Sequence, residues 1–131
     1  MDVAESLYRD NILDHYKNPQ NFGELQPHDA EFFDSNPLCG DEIGVQVKVD
    51  DGVISDLRFH GSGCAISMAS ASIISDALIG MSLAEVERLD ASWLQEQIGI
   101  SLSPVRLKCG LLALKVVQGA LFGRQEWPLS E

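Results

Sequence analysis

The sequence predicts an α+β chain folded as one domain, and three observations predict it. Its 131 residues are enough to bury one sizeable core but not two. Helix-period apolar stripes stand near both ends, and a hairpin with period-2 patterning lies between them.

Asp2 is expected to cap a first helix running to about Lys17, with Tyr8, Ile12 and Tyr16 spaced by four on one face, Leu13 beside them and Asn18-Pro19 as the stop. That stripe reads as core. Gln20 to Leu38 reads as loop, because Asn21-Phe22-Gly23, Pro27 and Ser35-Asn36-Pro37 are turn signals, and so long an irregular stretch is often functional. Ile43, Val45, Val47 and Val49 then alternate with Gly44, Gln46, Lys48 and Asp50 as a strand with one wet face. Asp51-Gly52 makes the hairpin turn, and Val53 to His60 returns antiparallel.

Gly61-Ser62-Gly63-Cys64 leads into a helix over Ala65 to Ile79 with Gly80 as its stop, so Cys64 falls at a strand-to-helix junction. Ser82-Leu83-Ala84-Glu85 has the form of a capping box for a short helix to about Leu89, and Asp90 caps another through about Gln97. Ser103-Pro104 opens the last helix, whose stripe of Leu107, Leu111, Leu114 and Leu121 ends near Phe122-Gly123. Cys109 lies in its opening turns. No internal repeat, low-complexity tract or linker interrupts the chain.

Charge and composition exclude several functions. A net charge of -11 repels phosphate backbones and anionic lipid, and the nine Lys and Arg are scattered, so neither nucleic acid nor membrane is an expected partner. No apolar run approaches the roughly 20 residues a bilayer span needs, and Met1-Asp2-Val3-Ala4-Glu5 lacks a secretory pattern. A cytoplasmic protein with reduced thiols is expected.

The chemistry concentrates in three cysteines, in the segments Asn36-Pro37-Leu38-Cys39-Gly40-Asp41, Gly61-Ser62-Gly63-Cys64-Ala65 and Arg106-Leu107-Lys108-Cys109. Three is odd, so complete internal disulfide pairing is impossible, and Asp41 adds a fourth ligand of the kind that completes a tetrahedral metal site. Thiolates bind metal and attack sulfur, and a helix start, where Cys64 and Cys109 are placed, favours the anion. Gly40 permits a tight turn that returns Asp41 to the side of Cys39. Arg106 and Lys108 add positive charge near Cys109, and Lys108 can act as a movable ammonium lid.

Each feature has a plainer structural reading. Taken singly, Cys109 is a small buried hydrophobe and Cys39-Gly40-Asp41 a turn with an incidental thiol; their conjunction with Cys64 carries the site. Gly61-Ser62-Gly63 lacks the pattern of a phosphate loop. His60 precedes Cys64 by four residues but reads as a surface residue, and His15 and His28 have no acid or thiol nearby in sequence, so no histidine is assigned as a ligand and no cysteine-protease arrangement is read.

With these segments in view, the chain closely resembles the U-type iron-sulfur cluster assembly proteins, the NifU N-terminal, IscU and SufU family. The likeness spans nearly the whole chain. It includes Leu7-Tyr8-Arg9 and His15-Tyr16-Lys17-Asn18-Pro19-Gln20-Asn21-Phe22-Gly23, the Asn36 to Asp41 turn, Phe59 to Ser72, and Pro104-Val105-Arg106-Leu107-Lys108-Cys109.

The resemblance implies a small antiparallel sheet of about three strands packed against helices, with the third strand near Glu31 to Phe33 or elsewhere in the loop. It implies that Cys39, Asp41, Cys64 and Cys109 converge at one exposed end. It also implies a partner, a pyridoxal-phosphate cysteine desulfurase, and downstream a scaffold or apo-proteins that receive the product.

Two functions then compete. In a sulfur relay the four residues hold Zn2+ and Cys39 leaves the metal to accept persulfide sulfur, a sulfurtransferase role; in a scaffold they assemble a transient [2Fe-2S] cluster. A structural zinc module is the third alternative. Lys108 stands where IscU-like scaffolds place a histidine, and Cys64 to Ser72 is worded like SufU, while the short segment between Cys64 and Cys109 is IscU-like. The leading Leu-Pro of the chaperone-recognition segment of IscU-like proteins is absent before Pro104.

Overall fold

The computed structural model describes residues 3–37, 40–124 and 126–129, those from 3 to 8 by backbone alone. Asp2, the expected first cap, and Cys39 lie outside the described residues.

The elements are α1 (Val3–Lys17), β1 (Ala30–Asn36), β2 (Asp41–Asp50), β3 (Val53–Ser62), α2 (Ala65–Leu78), α3 (Leu83–Glu87), α4 (Ala91–Ile98) and α5 (Pro104–Phe122). The three strands form one antiparallel sheet in the order β1-β2-β3. Asp51 and Gly52, at φ 53° and 74°, make the tight turn of the β2–β3 hairpin.

Register decides which side chains share a face. Phe32 pairs with Val45 and Val45 with Phe59, and Ala30 with Val47 and Val47 with Leu57, so these residues line the inner face. Helices α5 and α2 pack on that face, and α1 packs on α2. Helix α5 is buried on all sides from Cys109 to Gly119, not along a single leucine stripe. Being wrapped by the sheet, α2 and α3 explains this, and the polar residues in that stretch, Lys115 and Gln118, are paired where they are buried.

Two expectations need correction. The stretch read as loop contains β1, seven residues long. Of the α1 stripe only Ile12 is buried; Leu13 and Tyr16 are exposed, and the side chain of Tyr8 is not among those described. The reason is that α1 meets α2 through Ile12 and His15, whose Nδ1 lies 2.7 Å from Ser72 Oγ. As expected, Ser103 stands at the N-cap of α5 with Pro104 opening the helix, and it caps by backbone conformation without a side-chain hydrogen bond.

Other local signals hold. Ser82 Oγ accepts from the Glu85 N–H, and Asp90 Oδ1 accepts from the Trp93 N–H. Those two caps open α3 and α4.

Candidate metal centre

Three elements deliver their residues to one point. Asp41 opens β2, Cys64 is the N-cap of α2, and Cys109 stands in the second turn of α5. Asp41 Oδ1 accepts the Cys64 N–H at 2.9 Å, and Cys64 Sγ lies 3.7 Å from Asp41 Oδ2. The Ser67 N–H donates to Cys64 Sγ at 3.4 Å, so the sulfur itself caps the helix. A ligand atom from each of Asp41, Cys64 and Cys109 lies within 4.8 Å of the other two.

Burial gives the group a closed and an open side. Asp41 and Cys109 are 1% and 4% exposed, whereas Cys64 is exposed. All three groups bind metal as anions, and anions gathered there would be costly to bury without a cation among them. The spacing suits one: a tetrahedron with bonds of about 2.0–2.3 Å has edges of roughly 3.3–3.8 Å. The Cys64–Asp41 separation of 3.7 Å matches such an edge. The donor set of two sulfurs and one oxygen fits zinc or ferric and ferrous iron equally.

Two glycines make the approach possible. Gly61 has φ 139°, and a Cβ there would meet the Glu42 carbonyl oxygen at 2.0 Å. A Cβ on Gly63 would stand 2.7 Å from Asp41 Oδ1. Only a residue without a side chain lets the end of β3 pass this close to Asp41 and turn into α2. Sequence reading treated Gly61-Ser62-Gly63 as a lead-in to the helix and missed this function; glycine directly before a thiol N-cap is the signal that could have found it.

The remaining candidates fall outside the cluster. Arg106 is exposed and lines a cavity of about 190 Å³ with Arg9, Ile100 and Ser101. Lys108, next to Cys109, has its Nζ 5.6 Å from the centroid of the Trp127 ring. His60 lies on the outer face of the sheet, stacked on Phe33 with ring centroids 6.4 Å apart, in the space that Gly44 leaves open. His28 Nδ1 meets the Leu25 carbonyl oxygen at 2.8 Å, and its Nε2 lies 3.4 Å from Glu31.

With this geometry the comparisons with known proteins agree. The family described as NifU-like N terminal domain matches residues 7–126. The chain belongs to this family. Within it, the chain is 36% identical over 132 residues to the zinc-dependent sulfurtransferase SufU of Bacillus subtilis, covering 87% of this chain and 88% of that protein. It is also 36% identical over 118 residues to the iron-sulfur cluster assembly scaffold protein IscU of Haemophilus influenzae, covering 87% and 92% respectively. Among solved structures, it is similar to a protein described as an iron-sulfur cluster assembly scaffold for the SUF system from Fervidobacterium islandicum AW-1. That likeness has a TM-score of 0.76 at 26% identity and covers 89% of this chain and 98% of the other.

Proposed function

We propose that this NifU-like protein acts in iron-sulfur cluster assembly as a sulfur acceptor, with Asp41, Cys64 and Cys109 holding Zn2+ and Cys39 as the fourth ligand and the nucleophile. The observation that carries the reading is the convergence of one carboxylate and two thiols within 4.8 Å. Zinc supplies charge neutralisation and a labile fourth position; the chain supplies everything else.

Cys64 anchors the group to the start of α2, Asp41 ties β2 to it through the Cys64 N–H, and Cys109 closes the buried side. Cys39 follows β1 and precedes β2 in sequence, two residues before Asp41, and is assigned the attacking role. In the acceptance step its thiolate attacks the outer sulfur of a cysteine desulfurase persulfide. The persulfide S–S bond breaks, the desulfurase cysteine leaves as a thiolate, and a new S–S bond forms on Cys39. The thiolate count and oxidation level balance, so no outside oxidant is needed.

A second reading, a scaffold for a transient [2Fe-2S] cluster, is favoured by one observation: the likeness to IscU equals that to SufU in identity. One experiment separates the two. Metal content is measured in protein purified without chelator, and a desulfurase with cysteine is then added. About one zinc per chain, with alanine release stimulated by wild type and not by Cys39→Ala, supports sulfur relay. Coloured, iron-bound protein without stimulation supports the scaffold, and zinc without any stimulation supports a structural module.

A further inference from the structure

We infer that Trp127 is a positioning residue that fixes the ammonium of Lys108 beside the cysteine site. The inference rests, for its kinetic part, on the sulfur-acceptor reading.

Lys108 and Lys115 are seven residues apart on α5, hence on one face and two turns from each other. Both ammonium groups address the same indole, at 5.6 Å and 5.1 Å from the Trp127 ring centroid. Contacts of that length over a ring face are cation–π attractions. Trp127 is itself partly buried against the core, so the chain beyond α5 folds back along the helix.

Lys115 is the fixed end of this arrangement. It is buried and paired with Asp34 on the inner face of β1. The face of α5 that carries both lysines is therefore the face turned to β1. Two residues beyond Asp34 comes Asn36, which pairs in register with Asp41. Cys109, adjacent to Lys108, gathers with Asp41 at that same end. Trp127 thus holds the Lys108 ammonium on the β1-facing side of α5, on the residue that precedes Cys109. Without the ring, four rotatable bonds would let the ammonium wander into solvent.

A fixed cation there attracts the anionic persulfide of an incoming donor. Its effect belongs to encounter rather than to bond exchange, so the half-saturating desulfurase concentration should carry it and the maximal rate should not. An exposed cation–π contact is worth about a two- to fivefold change.

Two measurements on the full-length chain decide it. In lysine side-chain NMR spectra of wild type, the CεH2 resonances of Lys108 and Lys115 should be displaced upfield by the indole ring current, lose that displacement in Trp127→Leu, and keep part of it in Trp127→Phe. In sulfur-acceptance kinetics, Trp127→Leu and Lys108→Gln should each raise the half-saturating desulfurase concentration about two- to fivefold, with zinc content unchanged. The double variant Trp127→Leu/Lys108→Gln should be no worse than Lys108→Gln, and Trp127→Phe should recover most of the loss. Undisplaced lysine resonances in wild type, or a Trp127→Leu effect that persists in the Lys108→Gln background, overturns the inference. Displaced resonances with no sulfur acceptance by wild type would instead remove the functional reading, and the kinetic role with it.

Discussion

At the scale of single residues, the site depends on what is missing as much as on its donors. Gly63→Ala would push a methyl group to 2.7 Å from Asp41 Oδ1, displacing the carboxylate without removing any ligand. The expected outcome is a folded protein whose zinc affinity falls about 10- to 100-fold, the loss typical of disturbing a residue that orients a ligand, measured by competition with a chromophoric chelator. Gly61→Ala is a different kind of change. Its Cβ would meet a backbone carbonyl at 2.0 Å with φ 139°, so neither side can yield. We expect a loss of at least about 2 kcal/mol in urea unfolding, visible with or without metal. Asp41→Asn keeps the shape and removes the charge, and should weaken metal retention while leaving the β2 register intact.

At the scale of elements, polar residues inside the core both hold the fold and hide it from sequence reading. Gln118 on α5 is buried, and its Nε2 donates to the carbonyl oxygens of Val86 and Leu89, where the chain leaves α3. Gln118→Met should cost about 1–3 kcal/mol by removing the side-chain donor from both carbonyls. Asp34 works similarly between β1 and α5. Burial alone would raise its pKa, but the Lys115 hydrogen bond, the Ser35 N–H and the Lys115 charge together bring it below the ordinary 3.8. A depressed carboxylate pKa stabilises the fold above the unfolded value and loses that contribution as pH falls through the lower folded value. The stability gap between wild type and Asp34→Asn should therefore be constant near neutrality and shrink below the ordinary carboxylate value, as read from urea midpoints across pH.

The same pair explains why β1 was hard to see. Its inward positions are Ala30, Phe32, Asp34 and Asn36, and two polar residues among them erase the period-2 apolar signal. The β2–β3 hairpin was legible because Ile43, Val45 and Val47 alternate without interruption before Asp51-Gly52. The leucine pattern of α5 revealed a helix but not its burial on every side, because Lys115 reads as a wet position until Asp34 is placed opposite it. Of the site, Asp41, Cys64 and Cys109 were legible as residue types in characteristic turns. The spacer role of Gly63 and the hold of Trp127 on Lys108 were not, since both depend on segments far apart in sequence.

At the scale of the whole molecule, metal and fold are coupled. The donors come from β2, α2 and α5, so an ion bound by all three ties the sheet to both of its covering helices. Zinc at a hundredfold excess over its dissociation constant should add about 2.7 kcal/mol to stability. A chelator should accordingly lower the Tm of wild type, and should do so much less in Cys109→Ser. The net charge of -11 adds a partner preference: association with a desulfurase should weaken with added salt if that partner presents a basic face.

The central claim is that this metal group exists to let Cys39 take sulfur. The most direct measurement is persulfide mapping: the zinc-loaded protein is incubated with a desulfurase and cysteine, trapped with an alkylating reagent, digested, and read by mass spectrometry. A sulfur addition of one atom on the peptide carrying Cys39, with Cys64 and Cys109 unmodified and zinc still bound, is the predicted result. Sulfur found on Cys64 or Cys109 in place of Cys39, or none found on any of the three, would contradict the account.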